Sequence, residues 1–157
     1  MASLHPEHHV ALHALDSLAA NEFQVLVDGV LVSGVFSVKG LTPLSITPVK
    51  AWLGLIPLPL PGALNYRPVT ITKMVQRDTT LPINRWIRDT LANPTGKITR
   101  EVTVVAMDEG RETRRWVLYK AWISEISYSD FDSGSDQLVE ERLTLQYQSI
   151  KMLWPGE

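Results

Sequence analysis

The chain has 157 residues, 45% of them hydrophobic and 20% charged, with Lys+Arg 15 against Asp+Glu 17 and a formal charge of −2. This balance suits one folded domain and excludes collagen-like, disordered and disulfide-framework classes, and it sets up no global field for nucleic acid or an anionic membrane. The absence of cysteine removes disulfides, thiolate metal sites and cysteine nucleophiles together.

Residues 1–20 hold all four histidines and read as an N-terminal arm ahead of a β domain at 21–153. The arm has no basic n-region followed by an apolar h-region, so no signal peptide is expected. From Phe23 the pattern has period two: Phe23, Val25 and Val27 alternate with Gln24, Leu26 and Asp28, Asp28-Gly29 supplies a turn, and Val30 to Val38 returns as a second strand. Gly40 to Gly62 carries prolines at 43, 48, 57, 59 and 61 without a sustained period and reads as a long loop. Its most apolar part, Ala51 to Leu64, is too short and too proline-rich to span a bilayer, so no membrane insertion is expected.

Tyr66 to Val75 is rich in β-branched residues and predicts a third strand, with Pro68 setting its start at an edge or bulge. A helix is predicted over Pro82 to Ala92, with Ile83, Trp86, Ile87, Thr90 and Leu91 on one face and Asn93-Pro94 as its stop. Ile98 to Met107 and Glu112 to Ile123 flank the four-residue turn Asp108-Glu109-Gly110-Arg111 as a second hairpin. In the last strand, Gln137 to Ile150, residues Val139, Leu143, Leu145 and Tyr147 form a dry face, and Glu140, Arg142, Thr144 and Gln146 a wet one. About six strands and one helix predict a mainly β fold, an antiparallel barrel or sandwich with one packed α-helix.

Chemistry finds little purchase. His9 and His13 have the i, i+4 spacing of a helical metal pair, but nothing elsewhere is spaced to complete a site. Asp130 to Glu141 fits a calcium-loop frame in its acids but has Gly134 and Ser135 where an oxygen ligand and the obligatory glycine belong. Gly96-Lys97-Ile98-Thr99 lacks the upstream glycine of a phosphate loop, and there is no GxSxG. Arg111, Arg114, Arg115 and Lys120 interleave with Trp116 and Tyr119, but strand geometry turns Arg114 and Arg115 to opposite faces. No enzyme activity, cofactor or metal is expected. The apolar segment containing Trp52, Leu53, Leu55, Ile56, Leu58 and Leu60 stands out instead, because an exposed patch of this kind marks a protein interface.

The ordered set FQVLVDGV, FSVKGL, PG-x-x-x-Y-x-P-V-T-I from Pro61 to Ile71, INRWIRDTL around Trp86, the DEG turn, WVLYKAW from Trp116 to Trp122 and EERLTLQY from Glu140 to Tyr147 resembles the tail tube family of contractile phage tails and contractile injection systems. The resemblance runs from Asn21 to Leu153. It implies a structural protein whose homohexameric rings stack into a hollow tube inside a sheath, with baseplate, spike and cap proteins as partners and protein effector or DNA as cargo. It further implies assembly in the bacterial cytoplasm as part of a phage tail or tail-like particle, with possible extracellular release.

On that reading the segment at Trp52, Leu53, Leu55, Ile56, Leu58 and Leu60 is the ring-stacking loop. Glu140, Arg142, Thr144 and Gln146 are lumen-facing candidates, and Trp86, Ile87, Leu143 and Leu145 pack core and helix. Where family members tend to carry a charged, tyrosine-containing stretch, this chain has the proline- and leucine-rich run Thr47 to Pro61. That departure points to a tube-initiating or tube-terminating ring as the alternative. A monomeric small-ligand barrel, with the same segment as a lid over an apolar cavity, is the alternative from a different class.

Overall fold

The computed structural model describes residues 18–157, so the arm's histidine pair lies outside the described residues. In chain order the strands are β1 (Phe23–Val27), β2 (Val30–Val32), β3 (Val35–Lys39), β4 (Ile46–Leu53), β5 (Ile56–Leu64) and β6 (Val69–Met74). Helix α1 (Pro82–Ala92) follows, then β7 (Arg100–Asp108), β8 (Arg111–Tyr128), β9 (Glu140–Gln146) and β10 (Ser149–Leu153). Antiparallel pairing gives the order β2-β1-β7-β8-β9-β6-β3, with β10 also on β8, and β4-β5 stands apart as a two-stranded ribbon.

β8 makes this one body. Its first part pairs with β7 and β10, and its second part, from Trp122, pairs with β9. One register shift spans Tyr119 and Lys120, the latter with φ 49°, and another falls between Ile123 and Glu125. Bulges of this kind bend and twist a strand, which lets one chain segment serve two sheets. Between the sheets lies a core in which Val25, Val27, Val69, Ile71, Val102, Leu118, Leu143 and Leu145 are almost wholly buried.

The helix occupies the range its periodicity predicts. Pro82 sits in its first turn with the φ a helix needs, and Asn93 closes it. Ile83, Trp86, Ile87 and Thr90 face the core, and the Trp86 indole N–H donates to the Ile98 carbonyl at 2.7 Å. Leu91, placed on the apolar face by the sequence pattern, is instead mostly exposed. At the end of an 11-residue helix the apolar stripe has rotated past the sheet.

Four elements differ from the sequence expectation. The single returning strand Val30 to Val38 divides at Ser33-Gly34, so that β2 stays with β1 while β3 crosses to pair with β6. Gly34 has φ 70° and a Cβ there would lie 2.2 Å from the Met74 side chain, so the crossing needs glycine twice over. The four-residue turn before β8 is a two-residue loop, Glu109-Gly110, both with positive φ, as a type I′ hairpin requires. The last predicted strand divides at Tyr147-Gln148 into β9 and β10.

The fourth difference is the largest: the segment read as a long loop is the β4–β5 hairpin. Prolines at 57, 59 and 61 pair opposite Trp52, Lys50 and Pro48. In a strand, alternate N–H groups point to the same side. Prolines two apart therefore remove donors from the outer edge of β5 alone and leave its ladder to β4 intact. The tip is closed by Gly54 at φ 62° and Leu55.

Candidate assembly surfaces

Because residues opposite one another in a ladder share a face, the β4–β5 register sorts its side chains into two sets. Val49, Ala51 and Leu53 lie across from Leu60, Leu58 and Ile56 and make one aliphatic face. Trp52, Lys50 and Pro48 with Pro57, Pro59 and Pro61 make the other. Leu55 sits at the turn, 95% exposed, and Trp52, Leu53 and Ile56 are each more than half exposed. Neither face is covered by the body. Leu53, Ile56, Leu58 and Leu60 of the sequence-nominated set thus share a face, with Trp52 behind it and Leu55 at its end. Val49 and Ala51 belong to the same face and were hidden because the prolines read as loop; the alternation of Pro57, Pro59 and Pro61 with Leu58 and Leu60 was the available signal.

The hairpin does not lie over the body as a lid over an enclosed cavity would. Lys50 is the sole charged residue between Gly40 and Tyr66, so contacts made by this ribbon are apolar.

The second surface is the outer face of β9 and its neighbours. Glu140, Arg142, Thr144 and Gln146 alternate with the buried Glu141, Leu143, Leu145 and Tyr147 and point away from the core. Register brings Thr70 beside Thr144, and Thr72 and Ser127 beside Arg142. Arg142 pairs with Glu140 at 3.0 Å. The same registers add Lys39 beside Thr70 and Glu125 beside Thr144, so the face is rich in hydroxyls and carries two charges of each sign.

Behind this face lies a feature the alternating pattern concealed. Glu141 occupies an inward position of β9, 4% exposed, and forms a buried ion pair with the fully buried Lys73 of β6. Lys73 Nζ also donates to the Met74 carbonyl at 3.0 Å, and the Tyr128 hydroxyl donates to Glu141 Oε2 at 2.7 Å. The hydrogen bond to the Glu141 carboxylate pushes the Tyr128 pKa up to about 12, with burial acting in the same direction. Tyr147, whose hydroxyl donates to the Arg67 carbonyl at 2.6 Å, is pushed up chiefly by burial.

Part of the basic group on β8 is engaged within the chain. Arg115 is held by Glu112, Arg114 lies over the Trp154 ring at 4.6 Å, and Trp116 packs against the core. Among the described residues no cluster of three or more His, Cys, Asp or Glu side chains is placed to hold a metal, and no helix is long and apolar enough to cross a membrane.

Open strand edges and an unpartnered aliphatic ribbon on a rigid body are the surfaces of an assembly subunit. Residues 19–151 match the family described as T4-like virus tail tube protein gp19, and the chain belongs to that family. No curated relative matches it in sequence. In structure it is similar to a chain of the sheath–tube complex of the extracellular contractile injection system PVC in the extended state, at 17% identity over 97% of this chain and 99% of that one, with TM-score 0.74. It is also similar to a chain of the PVC sheath/tube terminator, at 19% identity over 87% of this chain and 96% of that one, TM-score 0.73. Hcp1 from Flavobacterium johnsoniae shares the fold at 12% identity over 83% of this chain and 94% of that one, TM-score 0.54.

Proposed function

We propose that the chain is a structural, non-enzymatic subunit of the inner tube of a contractile tail or injection system, forming six-membered rings that stack into a hollow conduit. The observation that carries this reading is the β4–β5 hairpin, an apolar ribbon that a tail-tube-family body holds out with both faces bare. Burying such a ribbon against another copy is favourable at about 25 cal/mol per Å² of apolar surface. A head-to-tail contact of this kind propagates as a stack instead of closing as a pair.

The hydroxyl-rich face with Glu140, Arg142, Thr144 and Gln146 would line the lumen. A wall without net charge holds neither a protein effector nor DNA by long-range attraction. Sheath, baseplate, spike and cap proteins would be the partners, and assembly would take place in the cytoplasm before release. A tube-initiating or tube-terminating ring is the second reading, favoured by the likeness to the PVC terminator, which is as close in fold as that to the sheath–tube chain.

Negative-stain electron microscopy of the purified chain, with its solution mass, tests this. Stacked rings are the expected result, isolated rings would favour the second reading, and a compact monomer at every concentration would defeat both. The double variant Trp52→Asp/Leu55→Asp should stay folded and lose tubes.

A further inference from the structure

The body carries an apolar groove whose wall includes the first of the described residues. It opens between β1, β7 and β8 on one side and β3 on the other, has a volume of about 430 Å³, and is walled by Phe23, Phe36, Leu41, Val104 and Trp116. We propose that this groove seats residues 1–17 of the same chain, with Leu15 and Leu12 as the side chains that enter it. The inference concerns a single chain and stands apart from the tube reading.

The chain reaches the groove by its own stem. Leu18, Ala19 and Ala20 are themselves part of the wall, so the chain ahead of them starts from inside the site. The Glu22 N–H donates to the Ala19 carbonyl at 3.2 Å, which closes a turn over Ala19 to Glu22 and reverses the chain just before β1. Two further bonds pin that turn to β7 and its hairpin: the Met107 N–H donates to the Glu22 carbonyl at 2.9 Å, and the Glu109 N–H donates to Glu22 Oε2 at 3.3 Å. Residues ahead of Leu18 are thereby aimed back toward the wall that Phe23 contributes, instead of away along the line of β1.

Reach and chemistry select the same side chains. An extended chain spans at most about 3.6 Å per residue, so Leu15 lies no more than ~11 Å from Leu18, and Leu12 no more than ~22 Å. Val10, Ala11, Leu12, Ala14 and Leu15 make this stretch apolar, to match the wall. The groove falls in the range of about 300–1,000 Å³ over which clefts enclose apolar groups. Leu18 and Phe36, both on its wall, each leave nearly half of their surface exposed.

The covalent tether decides between this segment and a separate chain. Because the step from Leu18 to Leu15 is so short, seating is intramolecular, at the roughly millimolar effective concentration of a short linker. A separate chain with similar side chains would first have to give up its translational freedom, and would then compete with a segment already at the site.

The cysteine-free chain makes the test direct. In the full-length chain, the Leu15→Cys/Phe36→Cys variant should close an internal disulfide on mild oxidation, read as a mobility shift that a reductant reverses. Closure should be about tenfold faster than in Leu15→Cys/Gln24→Cys. Gln24 is a strict control: it is exposed, lies closer in sequence to Leu15 than Phe36 does, and alternates with Phe23 along β1, so an unseated segment would reach it at least as readily as Phe36. In the unmodified chain, the amides of residues 12–17 should exchange with solvent at least about tenfold more slowly than in the isolated peptide. Equal closure rates for the two cysteine pairs would overturn the proposal, and so would exchange at the peptide's rate. Faster linking between mixed Leu15→Cys and Phe36→Cys chains than within the double variant would overturn it too, by giving the groove to the segment of a neighbouring copy.

Discussion

The two-sheet body and the β4–β5 hairpin treat apolar surface in opposite ways. In the body, β-branched and leucine side chains from both sheets close over Trp86 into a core from which water is excluded. In the hairpin, side chains of the same kind are spread along a ribbon with nothing behind them. The body folds because its apolar groups find one another. The hairpin is held in shape by its ladder and its prolines, and its apolar groups stay uncovered. Substitutions should accordingly separate into those that unfold the chain and those that leave it folded but solitary.

Trp86→Ala should be the most damaging. It removes the largest buried side chain of the helix and orphans the Ile98 carbonyl, for an expected loss of about 3–5 kcal/mol in denaturant unfolding. A loss below about 1 kcal/mol would mean that the helix is not integral to the core.

Next comes Lys73→Met, which strands the Glu141 carboxylate in the interior at an expected cost of roughly 3–5 kcal/mol. Adding Glu141→Leu should recover most of that cost, because the apolar pair leaves no buried charge behind. A double variant no better than the single would show that Tyr128 and Gln76, which also bond to the pair, contribute more than the pair itself.

A smaller effect is expected in alkali. The folded-state pKa of Tyr128 stands above its ordinary value of 10.0, at about 12. In that window the unfolded chain binds fewer protons than the folded one, so stability is full below pH 10 and declines as pH rises toward 12. Tyr128→Phe should flatten that part of the pH–stability curve, leaving the contribution of Tyr147, which shifts in the same direction.

The smallest effect on stability, within about 0.5 kcal/mol, is expected from Trp52→Asp/Leu55→Asp, since both side chains are already in water. The contrast with Trp86→Ala is then complete if tubes vanish from the hairpin variant while its melting curve overlays that of the wild type.

How much of this was legible follows from the same division. The helix could be read to its ends because Pro82 and Asn93-Pro94 bracket a clean 3.6-residue period. The β7–β8 hairpin could be read because β-branched runs flank Glu109-Gly110. Both signals are local.

The hairpin stayed hidden because proline argues against a strand unless its register is known, and only pairing reveals that Pro57, Pro59 and Pro61 all aim their missing donors outward. The divisions at Ser33-Gly34 and Tyr147-Gln148 depend on which sheet each half joins, which no local period encodes. Glu141 was passed over within an otherwise apolar alternation because its partner Lys73 is 68 positions away.

The chemistry of the hairpin also has a thermal consequence. A joint made of leucine, isoleucine, proline and tryptophan, with one lysine as its sole charge, responds little to ionic strength, since there is almost nothing for salt to screen. It responds to temperature instead, because the attraction between apolar groups weakens on cooling. Tubes built through it should hold together in concentrated salt and come apart on ice, which would make cold storage the gentlest way to recover their subunits.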